Sequence, residues 1–177
     1  MADGVARRQP GVPGPSLRLP AEASAMDRAR EIVTRLKKSY AMELESVQNY
    51  LANSIHLEGP QADDVKKVLE NALASELRHA RRLASRIKIL DGCVPGSLEL
   101  PRDQHYLQPP VNNRDSTSVI QGALTATGAA IVHYQAIIQI TDGLDYVTQD
   151  LLIELLAEEQ ERHALLNQLL VRISSAP

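Results

Sequence analysis

The sequence predicts an all-α protein: a four-helix bundle of two antiparallel hairpins joined by a long crossover loop. Three observations predict it. The 177 residues contain no Phe and no Trp, so a core must come from Leu, Ile, Val and Ala, which suits packed helices. Four long stretches carry apolar residues at the three-four spacing of a helix face. Of the three connections between them, two are short and one is long.

The length fits a single domain able to bury its own core. A net charge of −3 and a pI near 5.9 give no strong attraction to nucleic acid. The lone Cys93 excludes an internal disulfide framework and suits a reducing compartment. No apolar run approaches a membrane span, and the N-terminus lacks a secretory stretch. A soluble, cytoplasmic protein with no membrane and no nucleic-acid partner is expected.

Residues 1–25 are rich in Pro and Gly without periodicity and read as a disordered tail. The bundle is expected over 26–174. The first helix runs from Met26 to Leu57 and stops at Gly59-Pro60. The second starts after Pro60 and ends at Leu90, where Gly92 can serve as the C-cap. The third starts at Asp115 or Ser116, both able to cap, and ends near Thr141. The fourth runs from about Asp145 to about Ser174. Short connections make each pair an antiparallel hairpin. Between them lies DGCVPGSLELPRDQHYLQPPVNNRD. At roughly 3.3 Å per extended residue it can cross the length of a helix of about 42 Å. An up-down bundle needs no such loop.

The inward seams follow from the apolar spacing. Helix one gives Leu36, Tyr40, Glu43, Val47, Tyr50, and helix two gives Leu69, Ala72, Glu76, His79, Leu83, Ile87. Helix three gives Ile120, Leu124, Thr127, Ile131, Tyr134, Ile138. Helix four gives Leu152, Leu155, Glu159, Leu166, Leu169, Ile173. Three of the four seams are broken near mid-helix by a Glu. Carboxylates are almost never buried unless they are paired or bind metal.

Each of these residues also has a plainer reading. Glu-x-x-His, here Glu76 and His79, arises by chance on helices, and Glu43 and Glu159 each have acidic neighbours that suit a solvated face. Convergence at one level of a bundle favours a shared buried site. In LLAEEQERHALL, His163 stands four residues after Glu159 and Arg162 stands at three. Both spacings share a helix face, so His163 is a possible alternative ligand. His133 lies one residue off its seam, at the surface or a subunit contact, and His56 and His105 have no partner spacing. Arg78, Arg81, Arg82 and Arg86 form a basic stripe opposite the second seam, read as a solvated face or a subunit contact.

MELESVQNYL, SELRHARRLASRI and DYVTQDLLIELLAEEQ resemble the first, second and fourth helices of bacterioferritin and its ferritin-like relatives. The resemblance covers nearly all of residues 27–173. It implies a ferritin-like bundle, a homo-oligomer (dimer or larger) and an iron-binding centre. In that family four Glu and two His hold two irons. One iron would be held by Glu43 and His79, with Glu76 and Glu159 bridging, and Tyr50 and Tyr134 would lie just outside the ligands.

Two of the family's iron-ligand positions depart. The third-helix Glu is Thr127, with no acidic residue between Asp115 and Asp142, and the fourth-helix His is Arg162. The haem-ligand Met is Leu77, and no short fifth helix is expected after Ser174, so neither haem nor the large bacterioferritin shell is expected. The two replaced positions, Thr127 and Arg162, belong to the same second iron. Three carboxylates facing one divalent ion and one Arg sum to zero, whereas a second ion would sit beside a guanidinium that cannot lose its proton. The expectation is therefore a metal-binding protein of iron homeostasis with one divalent metal per chain. Iron is the first choice, and manganese or zinc suits the same ligands. Ferroxidase activity would be weak or absent, which leaves its standing as an enzyme open and assigns no catalytic residue. The alternatives are an active ferroxidase or iron-storage protein with an altered second site using His163 and Thr127, and a metal-free helical assembly.

Overall fold

The computed structural model describes the chain from residue 20 to residue 175, with side chains from Met26 onward. Four helices make up most of it: α1 (Pro20–His56), α2 (Ala62–Ile89), α3 (Ser116–Thr141) and α4 (Tyr146–Ser174). No strand occurs among the described residues. The crossover between α2 and α3 holds two short 3₁₀ turns, Ser97–Glu99 and His105–Leu107. α1 begins at Pro20 rather than Met26. Pro suits a first helical turn, and the small residues that follow carry no large apolar side chain to show a period. The rest of the N-terminal tail lies outside the described residues.

Local chemistry sets the helix ends. Asp115 caps α3 by accepting from the Ser118 amide at 2.9 Å, and Asp145 caps α4 by accepting from the Thr148 amide at 3.0 Å. Asp63 and Asp64 place negative charge in the first turn of α2, which favours the positive end of its dipole. The end of α2 differs from expectation. Asp91, not Gly92, takes the left-handed conformation, at φ 57°. The Asp91 amide donates to Lys88 O at 3.1 Å and the Gly92 amide to Ile87 O at 2.9 Å, a Schellman closure that a short polar side chain tolerates. Gly92 is needed for space instead: a Cβ there would lie 2.8 Å from Ile87 Cγ2 and Val33 Cγ1.

α1 and α2 form one hairpin and α3 and α4 the other. α1 lies beside α3, and α2 beside α4. The crossover runs over α1 and α3, pinned through a polar stripe on α1. Glu45 accepts from the Asp103 and Gln104 amides, and the buried Gln104 side chain donates to Met42 O and Ser46 Oγ. Asn53 donates to Leu107 O at 2.8 Å. The loop can approach α3 because residue 122 is Gly, where a Cβ would meet Tyr106 O at 2.4 Å.

The α2–α4 seam is stitched by ions. Arg78 pairs with Glu158, Arg82 with Glu154 and Arg86 with Asp145. Three members of the basic stripe are thus cross-helix partners rather than a free solvated face.

The core falls into two apolar layers. One contains Leu57, Leu69, Ile120, Leu166 and Leu169. The other contains Leu36, Leu83, Ile87, Ile137, Leu152 and Leu155. Each fully buried aliphatic side chain contributes about 2 kcal/mol. A layer of buried polar side chains separates them. Tyr50 belongs to the first apolar layer and Tyr134 to the second, and both are fully buried.

Candidate metal centre

Each helix brings one level of its inward face to the polar layer. α1 contributes Glu43, α2 Glu76 and His79, α3 Thr127, and α4 Glu159 and Arg162, all buried. Glu43, Glu76, His79 and Glu159 each offer one ligand atom, and these atoms lie within 4.8 Å of one another. His79 Nδ1 is 3.5 Å from Glu159 Oε1, 3.7 Å from Glu43 Oε2 and 3.8 Å from Glu76 Oε2. It makes no hydrogen bond. Ligand atoms about 2.1 Å from a tetrahedral metal stand about 3.4 Å apart, so the observed spacing is that of a coordination sphere slightly relaxed. The other ring nitrogen faces outward: His79 Nε2 lies 2.9 Å from Glu158 Oε2, and Arg78 reaches the same oxygen at 2.5 Å. With the Nε2 proton donated to Glu158, Nδ1 keeps its lone pair toward the three carboxylates.

The opposite side of the layer is filled by Arg162. Its Nη1 donates to Glu76 Oε1 and Glu159 Oε1, both at 2.5 Å, and its Nη2 donates to Ser75 Oγ at 2.6 Å. Thr127 Oγ1 donates back into its own helix, to Ala123 O and Leu124 O. His163 stands outside the group: it is half-buried and its Nδ1 accepts from Asn167 at 3.0 Å. His133 packs against α1 with Nε2 3.0 Å from Arg35 O, and burial holds it below its usual range. Tyr134 donates to Glu43 Oε1. The Tyr50 hydroxyl is buried without a partner and borders a small cavity shared with Glu43, Glu76, Glu159, Thr127 and Gln104. That cavity has room for about one water molecule or one ion.

The electrostatics show an excess of negative charge. Burial pushes the Glu43 carboxyl up to about 8, with repulsion from Glu159 adding to it. Glu76 is held well above the usual carboxylate range by burial and by the charges of Glu43 and Glu159. Burial opposes a charge on His79, yet the nearby Glu159 carboxylate, the hydrogen bond to Glu158 and the charge of Glu76 raise it overall. Burial also opposes the Arg162 charge, but Glu76 and Glu159 more than offset it, so the guanidinium stays charged. Glu158 is partly buried, and hydrogen bonds from His79 and Arg78 keep it below the usual range. With the carboxyl protons displaced and the imidazole neutral, as ligands must be, three carboxylates and one guanidinium leave two negative charges, the complement of one divalent cation. The unpartnered nitrogen, the spacing and the charge all fit such an ion.

Sequence reasoning missed three participants. Glu158 sits in an acidic run that suits a solvated face, although it stands next to an inward Glu and opposite Arg78. Ser75 lies directly before Glu76. Gln104 comes from a loop with no period. Its signal is on α1, where Glu45, Ser46, Asn49 and Asn53 form a second, polar stripe that needs a covering partner.

The profile of the ferritin-like domain matches residues 33–176. The chain belongs to the ferritin-like domain family. A curated relative from Pyrococcus furiosus, the DNA protection during starvation protein, is 28% identical over 148 residues, covering 79% of this chain and 77% of that one. Among solved structures, the bacterioferritin-related protein of Bacteroides fragilis, described as a dodecameric thioferritin, superposes with a TM-score of 0.72 at 26% identity. That match covers 86% of this ferritin-like chain and 95% of that one. Dps from Thermosynechococcus elongatus gives a TM-score of 0.73 at 19% identity over 83% of this chain and 94% of its own, which shows the shared fold.

Proposed function

We propose that this ferritin-like chain is a metal-binding protein of iron homeostasis that holds one divalent metal per subunit, with weak or no ferroxidase activity. Glu43, Glu76, His79 and Glu159 would hold the ion, with iron the first candidate and manganese or zinc chemically suited. The bound ion would supply Lewis acidity and, if iron, one-electron chemistry. The chain's own residues do the rest. Glu158, steadied by Arg78, orients His79; Tyr134 orients Glu43; the two apolar layers exclude water.

The observation that carries this reading is how Glu76 and Glu159 are shared between Arg162 and His79. Glu76 gives Oε1 to Arg162 Nη1 and turns Oε2 toward the unpartnered His79 Nδ1, while Glu159 Oε1 lies between the two, 2.5 Å from Arg162 Nη1 and 3.5 Å from His79 Nδ1. The guanidinium occupies the side where a second ion would need the same oxygens. A complete two-metal centre built from His163 and Thr127 has less support, since both are committed elsewhere. By family, the chain would be a cytoplasmic homo-oligomer without haem; among the described residues α3 alone is long and apolar enough by composition to span a membrane, and it is a helix of the bundle.

The test restores the second half. Arg162→His combined with Thr127→Glu should raise ferrous oxidation by oxygen above the parent and bring bound metal toward two per chain. If oxidation and stoichiometry both stay at the parent level, Arg162 is not standing in for a metal.

A further inference from the structure

The cavity beside the three carboxylates owes its existence to α3, which brings only short side chains to it: Ala126, Thr127 and Ala130. The Thr127 hydroxyl is turned into its own helix by its bonds to Ala123 O and Leu124 O, so α3 sends no polar hydrogen across the gap. Gln104 of the crossover forms another wall, and its amide is committed to α1. Its Nε2 donates to Met42 O and Ser46 Oγ, and its Oε1 accepts from Asn49 Nδ2. Tyr50 comes from α1, and its buried hydroxyl borders the cavity with no partner in the protein. A buried hydroxyl left without a bond is costly, and a water or a ligand normally supplies the missing one.

We infer that this cavity is a binding site for one small uncharged molecule held by a hydrogen bond from Tyr50, water at rest and replaceable by a diatomic such as nitric oxide. Size sets the first limit, because the space takes about one water molecule. Charge sets the second. One divalent ion and Arg162 would already balance Glu43, Glu76 and Glu159, so a further cation is in excess. An anion would face three carboxylates at close range, away from bulk water. Position decides what the occupant can do. Glu43, Glu76 and Glu159 line the cavity and His79 does not, so an occupant lies on the carboxylate side of the group rather than on the imidazole side. A metal ion that takes small ligands keeps a coordination position open for them. The short α3 side chains and the Tyr50 hydroxyl would then select the ligand by size and by its ability to accept a hydrogen bond. The exchange of water for nitric oxide rests on the metal centre proposed above; the water site itself is built by the chain alone.

Two measurements test it. A crystal structure of the metal-free full chain should show one ordered water about 2.8 Å from the Tyr50 oxygen. Ala126→Val, which adds two methyl groups to the cavity wall, should expel it. Anaerobic protein loaded with ferrous iron should form one ferrous nitrosyl per bound iron on titration with nitric oxide, read by paramagnetic resonance. Tyr50→Phe should weaken that binding about tenfold, the worth of one hydrogen bond, and Ala126→Val should weaken it further. Azide, charged and one atom longer, should not compete. Circular dichroism and unfolding midpoints report that both variants fold, and elemental analysis gives the bound iron. A chain that takes up no iron would end the reading of the centre, while the water at Tyr50 would still decide this one. Three results would overturn the inference: a metal-free crystal structure with no density in the cavity, variants that both take up nitric oxide like the parent, or azide binding as tight as that of nitric oxide.

Discussion

Around His79, three buried carboxylates converge on a nitrogen that has no hydrogen-bond partner; on the other side of Glu76 and Glu159, two of the same carboxylates close on the Arg162 guanidinium. The two halves use the same kind of ligand and differ in where the cation comes from. In the Arg162 half it is covalently part of the chain and present whenever the chain is folded. In the His79 half it has to be acquired. Substitutions in one half should therefore act on the stability of the metal-free protein, and substitutions in the other on metal affinity.

Arg162→Leu should have the largest effect. It leaves three buried carboxylates with no permanent counter-charge, and breaking a buried pair costs about 3–5 kcal/mol. Thermal unfolding of metal-free protein should show a large drop in Tm, with divalent metal restoring part of it. A metal-free Tm like that of the parent would break the comparison. His79→Ala should do the reverse: calorimetric titration with zinc should show affinity lower by more than about 100-fold, while the metal-free Tm moves little. Glu158→Gln sharpens the distinction. It keeps every ligand but weakens the bond that fixes the His79 tautomer, so affinity should fall by about 10–100-fold.

The two halves also differ in their response to pH. The Glu43 carboxyl is raised to about 8 in the folded chain, against an ordinary value near 4.5 when unfolded. Between these values the folded state holds a proton that the unfolded state has lost, so stability of the metal-free chain is full below about 4.5 and declines as pH rises toward 8. Burial and like charge move Glu76 in the same direction. The metal-free Tm should fall from pH 5 to pH 8, and Glu43→Gln should flatten that slope. A metal-free Tm that rises over the same interval would contradict the assignment.

Much of this was legible in the sequence, for reasons that can be stated residue by residue. All the seam positions of helices two and four are buried, including Glu76, His79 and Glu159, and the buried Arg162 fills the one gap in the three-four spacing of helix four. The seam of helix one was blurred. Tyr40 and Val47 are only half-buried, while the polar Ser46, Asn49 and Asn53 are buried beneath the crossover. Periodicity registers apolar burial and cannot see a polar stripe covered by a loop. Helix three is apolar on nearly every side, so its period is weak, and Leu124, Ile131 and Ile138 of the predicted seam are only half-buried. Glu158 escaped because a residue one position off a seam looks solvated until its neighbour across the seam, His79, is located in space.

The most direct test of the centre is elemental analysis of protein loaded with ferrous iron without oxygen and then freed of excess by gel filtration. One tightly held metal per chain is the result expected from a His79 half that binds and an Arg162 half that cannot. Two metals per chain, or none, would contradict it.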